Sequence, residues 1–363
     1  TDLIPLWVAD MDFATAPFVT DAIRKRCENE VLGYTGKPDS YYNAIINWVK
    51  QRYDLIVTKE VINFVPGIVP GIGMAMNCFT QKGDKVMIQP PVYHPFAWVT
   101  TRNERTLVIN PLKWENGMYR MDLDAFREQI KGCKLFILCN PHNPGGVVWT
   151  EAELRAIADI CYDEKVLVFS DEIHADLTLP PHTHRPFATV SEKARMNSVT
   201  FMSPSKAFNM PGLSASHALI FNEDLRKRFR IYMDAGELDM GHVFAFLSVE
   251  AAYSHGTEWL DQCLAYIQGN IDFVDEFLKK HAPKIKAIRP EASYLVWLDC
   301  RELELSQKDL NEFFVDKAHL ALNDGEMFGK EGIGFMRLNV ASPRCIIEKA
   351  MKQLADAYQL YIK

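Results

Sequence analysis

Lys134-Leu135-Phe136-Ile137-Leu138-Cys139, then Asn140-Pro141-His142-Asn143-Pro144-Gly145-Gly146, then a helical stretch reaching Cys161, then Val166-Leu167-Val168-Phe169-Ser170: this order decides the fold. The first and last segments are almost wholly apolar and do not alternate, so both faces of each strand must be covered. Between them, Thr150 and Glu153 form a T-x-x-E capping box, in which each side chain satisfies a backbone N–H at a helix start. Leu154, Ile157, Ala158 and Cys161 then recur at helical spacing along one face. Strand, helix, strand over this span is a βαβ unit, so an α/β fold with a parallel sheet is expected.

Working outward, Ser198-Val199-Thr200-Phe201-Met202 reads as a third buried strand, ending in Ser203-Pro204-Ser205-Lys206. Ala218-Leu219-Ile220-Phe221 reads as a fourth. Helices dominate from Asp224 to His281, with a long one after Trp259, and the strands Tyr294–Leu298 and Phe335–Val340 mark an α+β remainder. Ser342-Pro343 is the expected opening of the last helix, a capping Ser with Pro at the first helical position. Its apolar face would be Ile346, Ile347, Ala350, Met351 and Leu354. Upstream, Gly67-Ile68-Val69-Pro70-Gly71 reads as a loop entering an apolar helix over Ile72–Phe79.

The chain has 363 residues, 48% hydrophobic and 24% charged, which argues against disordered, collagen-like and coiled-coil architectures. At roughly 150 residues per domain, the length predicts two domains or one large core with an appendage. A net charge of −7 argues against a nucleic-acid partner. No apolar run approaches the ~20 residues of a membrane span. Eight cysteines without a C-x-x-C pair read mostly as small core residues of a reducing compartment, so a cytoplasmic location is expected. The start at Thr1, with neither Met nor a signal-peptide pattern, is expected to follow trimmed or unordered residues. His182 and His184 lie in a Pro-rich loop without ligands at zinc spacing, so no metal is expected.

Ligands in open α/β sheets sit beyond the carboxyl ends of the strands. Three polar clusters occupy such ends: Asn140 to Gly146, Asp171-Glu172-Ile173-His174, and Ser203 to Lys206. Taken singly, each is as readily a turn, a helix cap or a solvated lysine. Together they supply a lysine, an aspartate and phosphate donors, the set that pyridoxal 5'-phosphate requires: an amine to carry it and a carboxylate to hold its ring nitrogen protonated. The free N–H groups where Gly67–Gly71 enters its helix suit an anion such as the phosphate.

The chain resembles the fold-type I pyridoxal phosphate enzymes, the aspartate aminotransferase superfamily, and within it the MalY/PatB branch of cystathionine β-lyases. The resemblance spans essentially the whole sequence and rests on Trp7-Val8-Ala9-Asp10-Met11-Asp12-Phe13, Gly33-Tyr34-Thr35, Pro90-Pro91-Val92-Tyr93, Asn140 to Gly146, Asp171 to His174, Ser203 to Asn209, and Arg337-Leu338-Asn339. It implies a large cofactor domain over residues 34–260 and a smaller α+β domain from 1–33 and 261–363. It implies that Lys206 carries the cofactor and then acts as base at Cα, and that Asp171 pairs with the ring nitrogen. By the same resemblance His174 and Asn143 reach the ring oxygen, and Tyr93 stacks on the ring. Ser203, Ser205 and the backbone of Ile68 and Val69 hold the phosphate. Tyr34 crosses to the neighbouring active site of a homodimer. Arg337 clamps the substrate carboxylate, with the Ala9 main chain beside it.

The implied reaction is β-elimination from L-cystathionine or a related cysteine S-conjugate to a thiol, pyruvate and ammonia. An aminotransferase is the alternative, because both reactions share every step to the carbanion. A regulator's effector-binding domain is a third reading, against which stand the acidic charge and the absence of a basic module in this sequence.

Overall fold

The computed structural model describes residues 2–361. Its main sheet runs in the order Ile62–Val65, Ser216–Leu219, Ser198–Met202, Leu167–Asp171, Cys133–Cys139, Lys85–Ile88, Thr106–Ile109. The strands from Ser198–Met202 to Thr106–Ile109 are parallel, and Ser216–Leu219 runs antiparallel to both its neighbours. The apolar run is explained as expected. Leu135, Ile137 and Cys139 join one core cluster, whereas Phe136 and Leu138 join another, because successive strand side chains point to opposite faces.

The connecting helix Glu151–Asp163 starts as its sequence dictates. Thr150 Oγ1 accepts from Glu153 N at 3.2 Å, and Glu153 Oε2 accepts from Thr150 N at 2.8 Å. Such a cap contributes about 1 kcal/mol. In the loop before it, Gly146 has φ +67°, and a Cβ there would lie 2.5 Å from Pro290 Cβ. Its carbonyl accepts from Glu291 N and Ala292 N, tying the loop to the small sheet's approach. That second sheet is antiparallel, in the order Lys286–Ile288, Leu295–Asp299, Phe335–Asn339, Asn323–Asp324.

Four expected boundaries are corrected. The helix after Gly67 runs Ile68–Phe79, beginning four residues early, because Gly67 at φ +108° makes the turn by itself. Ile68 and Val69 therefore stand at the helix N-terminus itself. The strand expected at Ala218–Phe221 is Ser216–Leu219. The long helix is Thr257–His281, starting before Trp259. The last helix begins at Arg344, and Ser342 does not cap it: its hydroxyl donates to the Asp12 carboxylate across the chain. Five of the eight cysteines are buried and all are free thiols. No helix among the described residues is long and apolar enough to cross a membrane.

His217, on the antiparallel strand, is wholly buried and neither ring nitrogen has a hydrogen-bond partner. Burial pulls its pKa from 6.5 down to about 3. The unfolded chain therefore binds a proton below pH 6.5 that the folded chain refuses, so this residue lowers stability as pH falls from about 6.5 to 3. His217→Leu is expected to flatten that dependence. Chemical-denaturation curves should show the variant gaining on the parent by about 1.4 kcal/mol per pH unit between pH 6 and 4. Parallel pH dependences for the two proteins would show that the buried imidazole is not the cause.

Candidate active site

A cavity of about 270 Å³ opens beyond the strand ends. Lys206, Asp171, His174, Asn143, Tyr93, Ser205, Ile68, Val69 and Ala9 all line it. Asp171 is the last residue of its strand, in register with Cys139 and Phe201. Among the described residues it has no ion-pair partner, and its Oδ1 accepts only from Ile173 N at 3.1 Å. Burial pushes the carboxyl up to about 7; the Ile173 N–H and Lys206 pull it only partly back. Next to it, Glu172 is fully used: Oε1 accepts from Ser170 Oγ and Phe187 N, both at 2.8 Å, and Oε2 lies 2.7 Å from His184 Nε2. That buried network pins the strand end from which Asp171 projects, and it gives His184 a structural partner.

Lys206 follows the neighbouring strand, and its Nζ donates to the carbonyl of Ala9. Burial and then Arg337 lower its pKa to about 8, against the opposing pull of Asp10 and Asp171. His174 is held neutral: burial first, then Lys206 and Arg337, take it down to about 3, and its Nδ1 has no partner.

Part of the cavity lining suits an anion. The first N–H groups of a helix lack partners within it and carry the positive end of its dipole. Here they belong to the twelve-residue helix opening at Ile68, and Ser205 lines the same cavity. Ser203 is placed differently from expectation. It is not on the cavity wall; its hydroxyl accepts from Ser205 N at 3.1 Å and lies 2.8 Å from the Ala215 carbonyl, so it braces the turn that presents Ser205.

Arg337 is buried, with Nη1 donating to Asn143 Oδ1 at 3.0 Å and Nη2 to the Trp7 carbonyl at 3.0 Å and to Asn323 Oδ1. Its guanidinium lies 4.9 Å from the Phe328 ring centre, and its Nε is unpartnered. No carboxylate pairs with it among the described residues, so the site holds an uncompensated buried cation. Asn143 thus links Arg337 to the cavity: its side-chain oxygen accepts from Arg337, and the residue itself lines the cavity. Tyr34 lies outside this assembly and is 98% exposed.

Asn323, Tyr294, Asn209 and Asn339 were not anticipated as site residues. Asn209 and Asn339 sit inside the quoted motifs, which was a usable signal. Asn323, on a two-residue strand, offers none.

These residues fit pyridoxal phosphate. A buried unpaired carboxylate calls for a cationic ring nitrogen, free helix-start N–H groups call for a phosphate, and a buried amine of lowered pKa suits attack on a carbonyl carbon. Comparison with known proteins agrees. Residues 1–354 match the aminotransferase class I and II family, to which this chain belongs, and the fold is that of the fold-type I pyridoxal phosphate enzymes. Within that family it groups with the cystathionine β-lyase PatB of Bacillus subtilis, 38% identical over 359 residues covering 98% of this chain and 93% of PatB. MalY of Escherichia coli is 31% identical, covering 98% of this chain and 92% of MalY. The pyridoxal phosphate-bound C–S lyase of Staphylococcus hominis superposes with a TM-score of 0.92 at 35% identity, covering 98% of this chain and 92% of that one.

Proposed function

We propose that the chain is a pyridoxal phosphate-dependent C–S β-lyase that splits L-cystathionine or a related cysteine S-conjugate into a thiol, pyruvate and ammonia. The observation that carries the reading is the convergence of Lys206 and Asp171 on one cavity, with the uncompensated Arg337 hydrogen-bonded to the lining residue Asn143, in a chain whose relatives include a named cystathionine β-lyase and a C–S lyase.

Bound there, pyridoxal phosphate supplies a carbon that takes up the substrate amine and a ring that accepts the electron pair left at Cα. Asp171 holds the ring nitrogen, with Glu172 and His184 fixing its strand end. The Ile68 and Val69 N–H groups and Ser205 hold the phosphate, and Tyr93 covers the ring. Neutral His174 and the Asn143 amide serve the ring oxygen. Arg337 binds the α-carboxylate through its planar fork and so orients the Cα–H bond toward Lys206. Lys206 Nζ removes that proton, the sulfur leaves from Cβ as a thiolate, and water hydrolyses the remaining three-carbon enamine to pyruvate and ammonia.

The same reading divides the chain into a large unit over 34–260, which contains all seven strands of the main sheet, and a small unit of 1–33 and 261–363, which contains the second sheet. It makes the enzyme a homodimer in which Tyr34 reaches the neighbouring cavity. The exposure of Val31, Leu32 and Tyr34 supports this, because apolar side chains on one short segment favour a protein surface over water. Eight free thiols support a cytoplasmic location.

The test is pyruvate release from L-cystathionine by purified, cofactor-loaded protein without any 2-oxo acid. Pyruvate with an equimolar thiol is expected. Amino-group transfer that depends on an added 2-oxo acid, with no pyruvate, would make the protein an aminotransferase instead.

A further inference from the structure

The segment Leu6–Phe13 contributes Ala9 to the cavity lining and runs as a strap whose main chain is gripped at nearly every residue. Asn339 N donates to the Leu6 carbonyl at 2.9 Å, and Arg337 Nη2 donates to the Trp7 carbonyl. Asn339 Nδ2 donates to both the Val8 and Asp10 carbonyls, each at 2.6 Å. On the other side, Asn209 Oδ1 accepts from Met11 N at 2.9 Å, and its Nδ2 donates to the Met11 and Phe13 carbonyls at 2.8 and 2.7 Å. The Ala9 carbonyl lies between these two grips and accepts from Lys206 Nζ and from Tyr294 OH, the latter at 2.9 Å.

The two asparagines are placed by the catalytic elements themselves. Asn339 lies two residues after Arg337 on one strand, so both side chains leave the same face. Asn209 lies three residues after Lys206 and takes φ +51°, a left-handed conformation that Asn adopts more readily than most residues. The strap is therefore registered against the arginine's strand and the lysine's loop together.

We propose that the Ala9 carbonyl is the seat of the Lys206 amine whenever that amine is free, and that Asn209 and Asn339 are positioning residues that hold the carbonyl there. The proposal rests on the reading of Lys206 as the reactive lysine. A free amine that donates one N–H to Ala9 turns its lone pair away from the strap, and after taking the Cα proton the ammonium keeps that acceptor. Asp10 on the strap and Asp171 on its strand also favour the ammonium, whereas burial and Arg337 oppose it; His174 and Tyr294 face the amine as neutral groups. Loosening the strap removes an acceptor from the ammonium, which shifts the amine toward its neutral form.

The experiment uses the full chain with Asn209→Ala and Asn339→Ala. The first readout is the rate of pyridoxal phosphate uptake by cofactor-stripped protein against pH, which titrates the neutral amine. The second is exchange of the Cα proton of L-alanine, which has no β leaving group, in deuterated buffer with the loaded enzyme. Each variant should lower the uptake midpoint by about half to one pH unit, a three- to tenfold loss of proton affinity, and slow exchange mainly in kcat rather than KM. Asn270→Ala is the control, since Asn270 is also an asparagine that holds two main-chain carbonyls, those of Val340 and Ser342, and is more deeply buried than either. It should lower the melting temperature and leave the midpoint in place.

Unchanged midpoints in folded Asn209→Ala and Asn339→Ala, or an equal shift in Asn270→Ala, would overturn the proposal. Should either alanine variant fail to fold, Asn209→Ser and Asn339→Ser are read by the same criteria. Parental uptake and exchange in Lys206→Ala would instead place the failure with the assignment of the lysine.

Discussion

Lys206→Ala should release no measurable pyruvate from L-cystathionine, a loss of at least about 10⁴-fold in kcat, while its melting temperature stays near that of the parent. General acid–base catalysis alone is worth about 10²–10⁴-fold, and in the proposed mechanism the same amine also carries the cofactor. No neighbour can replace it. Asp171, at the end of its strand, is assigned to the ring nitrogen in the proposed mechanism, and His174 sits with its pKa down at about 3 and two cations nearby. The fold should survive because, among the described residues, the one hydrogen bond of Nζ is to the Ala9 carbonyl. Added methylamine, a small free base, should restore part of the rate. A variant retaining near-parental turnover would remove Lys206 from the reaction.

Arg337→Ala should lower kcat/KM by about 10²–10³-fold, mostly through KM. Losing one partner of a buried, hydrogen-bonded charge pair costs roughly 2–5 kcal/mol, and each 1.4 kcal/mol is tenfold. The argument depends on what surrounds the guanidinium. Its hydrogen-bond partners and the Phe328 ring are all neutral, which leaves its charge for the substrate carboxylate of the proposed mechanism. Arg337→Lys should recover little, because an ammonium cannot present two parallel donors to a carboxylate. Initial rates over a range of L-cystathionine concentrations decide the matter. A KM unchanged in Arg337→Ala would mean that the carboxylate is bound elsewhere.

Much of this was legible along the chain, and for a common reason. The unalternating run through Leu135–Cys139 demanded cover on both faces, the Thr150–Glu153 box started its helix, and the polar clusters after three strands named Asp171, Asn143 and Lys206. Each of these is set by interactions within a few residues, or by where a strand must end relative to its sheet. Short-range chemistry of that kind can be read without knowing what lies opposite.

Other features required the folded chain. Ser203 and Ser205 look equivalent in sequence, yet one braces and the other lines the cavity, because the Ser203 hydroxyl is taken up by Ser205 N and the Ala215 carbonyl, twelve residues on. Ser342 looks like a cap but is taken by Asp12, from 330 residues away. The grip of Arg337 on Trp7 spans 330 positions, that of Asn209 on Met11 spans 198, and Tyr294 reaches Ala9 across 285. No periodicity or local propensity encodes such pairs. They form because an N-terminal strap with unsatisfied main-chain groups must find donors where the two sheets bring them, and only that packing decides which side chains meet it.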